Sequence, residues 1–212
     1  MEKEIIRLEH INYTSNGHQI INDVSMSVSE GTTTVITGRA GSGKSSLLKI
    51  MASILIPDSG NVCYSPEIRK NFRKKSGFVF SDSALWSNSS IYDNISLPLQ
   101  VHFPKMNRNE ILERIDEVCE IMDFHPDLKL RPADFSEGQQ KTISFMRALI
   151  HRPDIIFMEN PLKSLDFETI NRVIKLIGEI KNKKSTLVIT TSMPEFTSAF
   201  GDVVFTLKDG KI

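Results

Sequence analysis

The feature that most constrains this chain is a glycine-rich loop, Gly-Arg-Ala-Gly-Ser-Gly-Lys-Ser, at residues 38–45. It follows an apolar and β-branched run at residues 32–37, and it precedes a segment with helical spacing at residues 46–53. Glycines let the backbone N–H groups of such a loop fold around a phosphate, and the N-terminus of the helix adds partial positive charge. The strand–loop–helix context therefore predicts a phosphate-binding loop.

The loop also supplies two side chains that a nucleoside triphosphate requires. The Lys44 ammonium can reach the β- and γ-phosphates, and the Ser45 hydroxyl can bind Mg²⁺. We therefore expect the chain to bind a nucleoside triphosphate together with Mg²⁺. The predicted contact residues are Gly38, Arg39, Ala40, Gly41, Ser42, Gly43, Lys44, Ser45 and Ser46.

Short β-branched runs alternate with helical patterns along the chain, which is typical of a mostly parallel sheet flanked by helices. The runs at residues 32–37 and 155–158 are almost continuously apolar or β-branched, as expected for central strands covered on both faces. The first two runs lie in a polar, turn-rich context that favours an antiparallel edge sheet. The predicted strands are residues 5–13, 23–28, 32–37, 77–80, 155–158, 186–190 and 203–207.

A helical segment interrupts this alternation in the middle of the chain. Ile111, Ile115 and Met122 recur at helical spacing, and Asn107 and Glu110 are placed to form a capping box. We predict one domain over residues 1–212 of the α/β class. Its expected parts are a P-loop NTPase core with a mostly parallel sheet, an N-terminal antiparallel β-subdomain, and a helical subdomain inserted at about residues 91–135.

The charge balance restricts the partners of such a domain. Lys and Arg (26) balance Asp and Glu (26), so the chain as a whole has no attraction to nucleic acid or anionic lipid. A basic run at residues 69–75 is compatible with nucleic acid or lipid head groups, but a solvated face is the favoured interpretation. We expect no nucleic-acid partner.

The remaining sequence features concern the compartment. Cys63 and Cys119 lie far apart without metal-type spacing, so we expect no disulfide and a reducing cytosol. The first ten residues carry acidic side chains and do not resemble a secretory signal. No segment of the sequence approaches the roughly 20 apolar residues that span a bilayer. If the protein works at a membrane, we expect another chain to span it.

Beyond the loop, short motifs in a fixed order resemble the ATP-binding cassette (ABC) ATPases nearly end to end. The segment at residues 135–139, Phe-Ser-Glu-Gly-Gln, is similar to the LSGGQ signature of that family. Residues 153–161 are similar to the Walker B frame, and Ser164-Leu165-Asp166 is similar to the D-loop. Further similar segments are Pro57-Asp58-Ser59-Gly60, Gly77-Phe78-Val79-Phe80 and Asp209-Gly210-Lys211-Ile212.

The resemblance implies a head-to-tail dimer in which the signature of one cassette covers the ATP of the other. Ser136 would then offer its hydroxyl and Gly138 its backbone N–H to the partner's γ-phosphate, next to Glu137 and Gln139. Glu137 stands where the family has a small residue. Because its carboxylate adds negative charge next to a triphosphate, we expect the Glu137 side chain to turn to solvent. The implied partners are a second ABC ATPase chain, identical or different, and a transmembrane permease subunit. The implied location is peripheral, on the cytoplasmic face of the membrane.

Four polar positions depart from the hydrolytic set of that family. Glu159 aligns with an acid that is usually Asp, and Asn160 aligns with the general base. Ser81 aligns with the Q-loop glutamine, and Thr191 aligns with the switch histidine. Because a neutral amide cannot accept a proton from water, we predict that hydrolysis at this site is slow or absent.

Two further assignments follow from the resemblance. Ser45, Glu159 and Ser81 are the predicted surroundings of the metal, although Ser81 is too short to reach it directly. The aromatic residue that stacks on adenine falls near Ser15, and Tyr13 lies on the same face if the strand is regular. Tyr13 is therefore the predicted partial substitute.

The segment at residues 83–99 is most similar to bacterial importer-type ATPases, especially those of Mce-associated lipid transport systems. There this surface receives the coupling helix of the membrane subunit, although its apolar residues are equally suited to packing the helical subdomain. Three functions stay open at this point. They are the motor subunit of a transporter, a degenerate cassette that lends its signature to an intact partner, and a soluble ABC protein of DNA repair or translation.

Overall fold

The computed structural model describes residues 3–163, 165–183 and 185–212. The chain divides into two compact units. The first unit comprises Met1–Phe78, Asp154–Asn160 and Lys181–Ile212, and the second comprises Val79–Pro153 and Pro161–Ile180. The assignment of residues 1–212 to one domain with an insertion at about 91–135 stays a prediction.

The elements are numbered in chain order. The strands are β1 (Glu4–Ser15), β2 (His18–Ser29), β3 (Thr33–Thr37), β4 (Ser59–Tyr64), β5 (Ser76–Val79), β6 (Ile155–Glu159), β7 (Thr186–Thr191) and β8 (Val203–Thr206). The helices are α1 (Lys44–Met51), α2 (Pro66–Arg69), α3 (Phe72–Lys75), α4 (Ile91–His102), α5 (Arg108–Met122), α6 (Glu137–Leu149), α7 (Phe167–Asn182) and α8 (Pro194–Phe200). A short 3₁₀ turn lies at Pro132–Asp134.

Two sheets carry the strands. One has the order β2-β1-β4 and is antiparallel, and its first hairpin turns at Asn16 and Gly17, both with positive φ. The other has the order β5-β6-β7-β3-β8, and its pairings β3–β7, β3–β8 and β6–β7 are parallel. The predicted α/β class, with a parallel core sheet and an N-terminal antiparallel sheet, is confirmed.

The strand that the sequence did not reveal is β4. It lies at an edge of the antiparallel sheet, and only Val62 and Tyr64 of it are half-buried. An edge strand needs no apolar run, because one side of it faces solvent. Asp58 directly before β4, and Ser59 and Gly60 at its start, are residues typical of turns, so the sequence predicts a turn there. The two runs predicted as central strands form β3 and β6, which are buried except for the half-buried Thr37. Strand β7 is buried along its whole length as well.

The helices of the second unit begin at side-chain caps. The predicted capping box of α5 is confirmed, because the Asn107 Oδ1 accepts from the Glu110 N–H at 3.1 Å while the Glu110 carboxylate accepts from the Asn107 N–H at 2.7 Å. Ser90 and Asp93 cap α4 in the same way. Helices α4, α5 and α6 pack against one another. Among the described residues, no helix is both long enough and apolar enough to cross a membrane.

Tyr64 gives the first unit a measurable pH dependence. Its hydroxyl donates to the Met51 carbonyl at 3.0 Å, and burial raises the pKa of Tyr64 to about 12 from 10.0. The neutral phenol is thus favoured in the folded state, so its contribution is complete below pH 10 and is lost as the pH rises towards 12. We predict that wild type exceeds Tyr64→Phe in stability at pH 8 and that this difference shrinks at about pH 11. Urea unfolding of both proteins at the two pH values measures it, and an unchanged difference would contradict the prediction.

Candidate nucleotide-binding site

Three neighbouring strands of the first unit end at one edge of the parallel sheet. Thr37, the last residue of β3, pairs with Thr191, the last residue of β7. Glu159, the last residue of β6, pairs with Thr190. Ligands of parallel α/β sheets bind at the carboxyl ends of the strands. The sheet therefore brings the glycine-rich loop, the Walker B position and the switch position to one edge.

The glycine-rich loop turns tightly after β3. Gly38 has φ +146°, and a Cβ on it would lie 2.2 Å from the Leu207 carbonyl oxygen. Gly43 has φ +101°, and a Cβ there would lie 2.8 Å from the Ile20 carbonyl oxygen. Both positions therefore require glycine, one to admit Leu207, the residue after β8, and the other to admit Ile20 of β2. Gly41, with φ +79°, has open space around it, as do the exposed Arg39 and Ala40.

Lys44 is buried inside this loop, with an exposed fraction of 6%. Its Nζ donates to the Gly38 carbonyl at 2.8 Å and to the Arg39 carbonyl at 2.6 Å. Burial lowers the pKa of Lys44, and none of the described carboxylates forms an ion pair with it. A cation that is balanced by carbonyl dipoles alone has charge left to attract an anion, and a phosphate satisfies that requirement.

The residues that follow Lys44 also fit a phosphate. Ser45 and Ser46 are half-buried in the first turn of α1, where backbone N–H groups lack partners within the helix. The buried Ser42 Oγ has no hydrogen-bond partner among the described residues. The Ser42 hydroxyl and the free N–H groups of this turn are therefore available to bind a phosphate.

Glu159 is buried, with an exposed fraction of 4%. Its Oε2 forms no hydrogen bond within the described chain, but it lies 3.3 Å from the Nζ of Lys49. A buried carboxylate oxygen without a hydrogen-bond donor is a suitable ligand for Mg²⁺ or for a Mg²⁺-bound water. The residues present therefore fit the metal predicted from the sequence, with Glu159 and the Ser45 hydroxyl as the candidate ligands in this unit.

The two remaining substituted positions of this unit lie beside Thr190. The backbone N–H of Asn160 donates to the Thr190 carbonyl at 3.0 Å and to its Oγ1 at 3.3 Å. Asn160 has φ +43°, a left-handed conformation that asparagine tolerates better than most residues. The buried Thr191 accepts at Oγ1 from the Met193 N–H at 3.1 Å, which leaves its hydroxyl proton available to donate.

The proposed adenine contact rests on a regular β1 between Tyr13 and Ser15. The register shifts of the β1–β2 pairing next to Tyr13 place the extra residues on β2, where the partners step from Val24 to Ile21 and then to Gln19. Along β1, Tyr13 and Ser15 are half-buried and Thr14 between them is exposed. Tyr13 is half-buried and packs against the hydrophobic core of the first unit. The assignment of Tyr13 to adenine stacking stays a prediction.

In the second unit, Ser136 caps the signature helix α6. Its Oγ accepts from the Gln139 N–H at 3.3 Å, and the Gln139 Oε1 accepts from the Ser136 N–H at 3.0 Å. The cap uses the Ser136 oxygen as an acceptor, so the hydroxyl proton can still be donated to a phosphate. The side chain of Glu137 is exposed, as a triphosphate next to it would require.

Gly138 is buried in the first turn of α6 because the start of α7 lies against it. A Cβ at Gly138 would lie 2.7 Å from the Asp166 Oδ2 and 2.9 Å from the Thr169 Oγ1. Those two side chains are bonded to each other at 2.8 Å, and the Thr169 N–H donates to the Asp166 Oδ1 at 2.9 Å. These bonds lower the pKa of Asp166. Ser164, the first residue of the predicted D-loop, lies outside the described residues.

The Q-loop position Ser81 lies in the second unit, where it lines a cavity of about 310 Å³ with Lys141 and Glu137. Lys141 is 2% exposed, and its Nζ donates to the Phe80 carbonyl. Ser81 and the glycine-rich loop belong to different units. The assignment of Ser81 to the surroundings of the metal therefore stays a prediction.

Arg147 of α6 holds the segment that follows Ser81. Its guanidinium donates to the Ala84 carbonyl at 2.7 Å and to the Ser83 carbonyl at 2.8 Å, and burial lowers its pKa. Ser83 and Ala84 have φ +64° and +45°, left-handed conformations that cost free energy for residues with a Cβ. The double hydrogen bond of Arg147 therefore compensates for backbone strain in this segment.

Sequence analysis missed Lys49, Lys141 and Arg147 as site-supporting residues. Lys141 and Arg147 lie in the largely apolar run at residues 141–150, and a charge in that context is the signal that was available. Lys49 gives no such signal, because Ser45 lies on the same side of its helix. The sequence does not reveal the partner of such a charge, because the partners lie on distant segments.

We predict that Arg147→Met lowers the free energy of unfolding by about 2–4 kcal/mol, since it leaves two carbonyls without their charged donor. The matched control is Arg152→Met, which removes an exposed arginine whose pair with Glu117 spans 2.7 Å. An exposed ion pair is worth about 1 kcal/mol or less. Denaturant unfolding of the two variants measures the difference. Equal losses would show that Arg147 does not support the strained segment.

The family model described as ABC transporter matches residues 21–163, which is more than half of the chain. The methionine import ATP-binding protein MetN of Clostridium acetobutylicum is 28% identical over 217 residues, covering 98% of this chain and 67% of that protein. The sulfate/thiosulfate import ATP-binding protein CysA of Mesostigma viride is 27% identical over 211 residues, covering 98% of this chain and 60% of that protein.

Solved structures agree with these sequence relatives. The dimeric, post-hydrolysis ATP-binding cassette MJ0796, bound to ADP and Pi, matches with a TM-score of 0.87 at 26% identity, covering 98% of this chain and 96% of that one. CbiO1 of Clostridium perfringens, part of the transporter complex cbiONQ, matches with a TM-score of 0.80 at 26% identity, covering 99% and 87%. With its family model, its fold and its glycine-rich loop in agreement, the chain belongs to the ABC transporter family.

Proposed function

We propose that this chain is the ATP-binding subunit of an importer-type ABC transporter, peripheral on the cytoplasmic face of a membrane. The observation that carries the proposal is Lys44, a buried ammonium held by two loop carbonyls at the N-terminus of α1. Members of the family bind ATP, typically with Mg²⁺. Ser45 and Glu159 would hold the metal, which would neutralise phosphate charge.

The direction of transport is proposed from the relatives. MetN and CysA are named as import ATP-binding proteins, for methionine and for sulfate or thiosulfate. Neither name mentions a lipid, so a lipid cargo is supported by the likeness at residues 83–99 alone. We therefore propose import, and we propose that the permease subunit rather than this chain selects the cargo.

The surface proposed to contact the permease includes Trp86. Ile91 and Ile95 are fully buried and pack the second unit, but Trp86 is 54% exposed. Asn94 fixes its backbone, accepting from the Trp86 N–H at 2.7 Å and donating to the Trp86 carbonyl at 3.1 Å. A rigidly presented, exposed tryptophan is typical of a contact surface for another protein.

The site is further proposed to turn over ATP slowly. Asn160 stands at the position of the general base, and its amide cannot accept the proton of an attacking water. Thr191 offers one hydroxyl where the family has a histidine, so it supplies no positive charge.

A second candidate function is a cassette that supplies its signature to an intact second ATPase chain. The cap of α6 favours it, since Ser136 keeps a hydroxyl proton to donate while Gly138 is held close to α7. Purification of the complex from membranes separates the two candidates. A permease with two copies of this chain supports the first, and a permease with a different second cassette supports the other.

We predict that Lys44→Ala weakens the binding of Mg-ATP at least tenfold, because the phosphates lose a charge-assisted donor. The matched control is Lys75→Met, which removes a half-exposed lysine from an ion pair with Asp154 at 3.1 Å in the same unit. Calorimetric titration of the whole chain, or of its purified complex, measures both. The absence of Mg-ATP binding by wild type would overturn the proposed function.

For hydrolysis, we predict that Asn160→Glu raises the turnover number about 10²-fold or more, because a carboxylate can act as general base. Asn160→Gln, which lacks a base, should give no gain. The combined set Ser81→Gln, Glu159→Asp, Asn160→Glu and Thr191→His should give the largest gain. A steady-state ATPase assay with a Lys44→Ala background as blank measures it. Wild-type turnover that equals the combined set and vanishes with Lys44→Ala would refute slow hydrolysis.

A further inference from the structure

The ion pair between Lys49 and Glu159 is a feature that the proposed function does not use. The Lys49 Nζ lies 3.3 Å from the Glu159 Oε2, and the Lys49 side chain is 29% exposed while that of Glu159 is 5% exposed. Among the described residues, the cation that lies within ion-pair distance of the Glu159 carboxylate is Lys49. A buried carboxylate without such a counter-ion is costly.

Lys49 lies close to the proposed metal ligands. Ser45 and Lys49 are separated by four positions on α1, so their side chains lie on the same face of that helix. Helix α1 packs against β6, which ends at Glu159. The Ser45 hydroxyl, the Lys49 ammonium and the Glu159 carboxylate therefore share one side of the phosphate-binding loop.

Charge balance at this position depends on the metal. Without a divalent cation, the buried carboxylate of Glu159 repels a triphosphate, which then carries its full negative charge. The Lys49 ammonium cancels the charge of the carboxylate from within the chain. A bound Mg²⁺ would neutralise both the Glu159 carboxylate and the triphosphate. The Lys49 ammonium would then contribute less to the affinity for the nucleotide.

We propose that Lys49 is the built-in counter-ion of Glu159 and that it makes nucleotide binding at the glycine-rich loop less dependent on Mg²⁺. The inference rests on the proposed function, since it concerns the same nucleotide site. It makes Lys49 a positioning residue, which acts on the nucleotide through Glu159 rather than by direct contact.

The experiment compares the dissociation constants of ATP with Mg²⁺ and with EDTA, by calorimetry on the whole chain. Lys49→Met is expected to weaken binding about tenfold or more in EDTA and less than about threefold in Mg²⁺. Lys49→Arg keeps the charge and should behave as wild type. Lys75→Met, the matched half-exposed lysine, should change neither constant.

A second pair of variants keeps the inference testable if Lys49→Met fails to fold. Glu159→Gln and the double variant Lys49→Met/Glu159→Gln bury no carboxylate, so their EDTA dissociation constants should agree within about twofold. A tenfold difference between these two would overturn the inference, because Lys49 would then act on the nucleotide directly.

The inference and the proposed function fail differently. If wild type binds Mg-ATP but Lys49→Met weakens binding by the same factor in Mg²⁺ and in EDTA, the counter-ion role is overturned and the proposed function stands. If wild type binds ATP in neither condition, both are overturned.

Discussion

The nucleotide site depends on the burial of Lys44 beneath its own loop. A lysine that is 6% exposed and held by two carbonyl oxygens gives the first unit a positive centre without a compensating carboxylate among the described residues. Such a charge is tolerated because the loop dipoles and the N-terminus of α1 are arranged around the position of an anion. The glycines at 38 and 43 make this arrangement possible, since a Cβ there would clash with the backbone of Leu207 or of Ile20.

The parallel sheet then decides which other groups meet that centre. Strands β3, β7 and β6 are neighbours, and their last residues bring Thr191 and Glu159 to the edge where the loop begins. The backbone N–H of Asn160 donates to both the carbonyl oxygen and the Oγ1 of Thr190, which ties the residue after β6 to β7. Backbone pairing thus places residues 159, 160 and 191 at one edge of the sheet, whichever side chains they carry.

The second unit is organised by helix α6. Ser136 caps its start, Gly138 admits the Asp166–Thr169 pair, and farther along Lys141 and Arg147 donate to the carbonyls of Phe80, Ser83 and Ala84. One helix thus supports both the signature and the strained segment after the Q-loop position. A displacement of that segment away from α6 must break the charged hydrogen bonds from Arg147.

The sequence by itself determined the features whose partners are close along the chain. The glycine-rich loop, the cap of α5 and the apolar central strands all depend on residues within a few positions, so spacing alone predicts them. The edge strand β4 was missed, since an exposed strand leaves no periodic apolar signal. Only the tertiary structure decided that Lys49 meets Glu159 and that Arg147 meets Ser83 and Ala84. Helical spacing determines the face of the helix on which a charged side chain lies. Its partner depends on which distant segment packs against that face, and spacing along the helix does not reveal that segment.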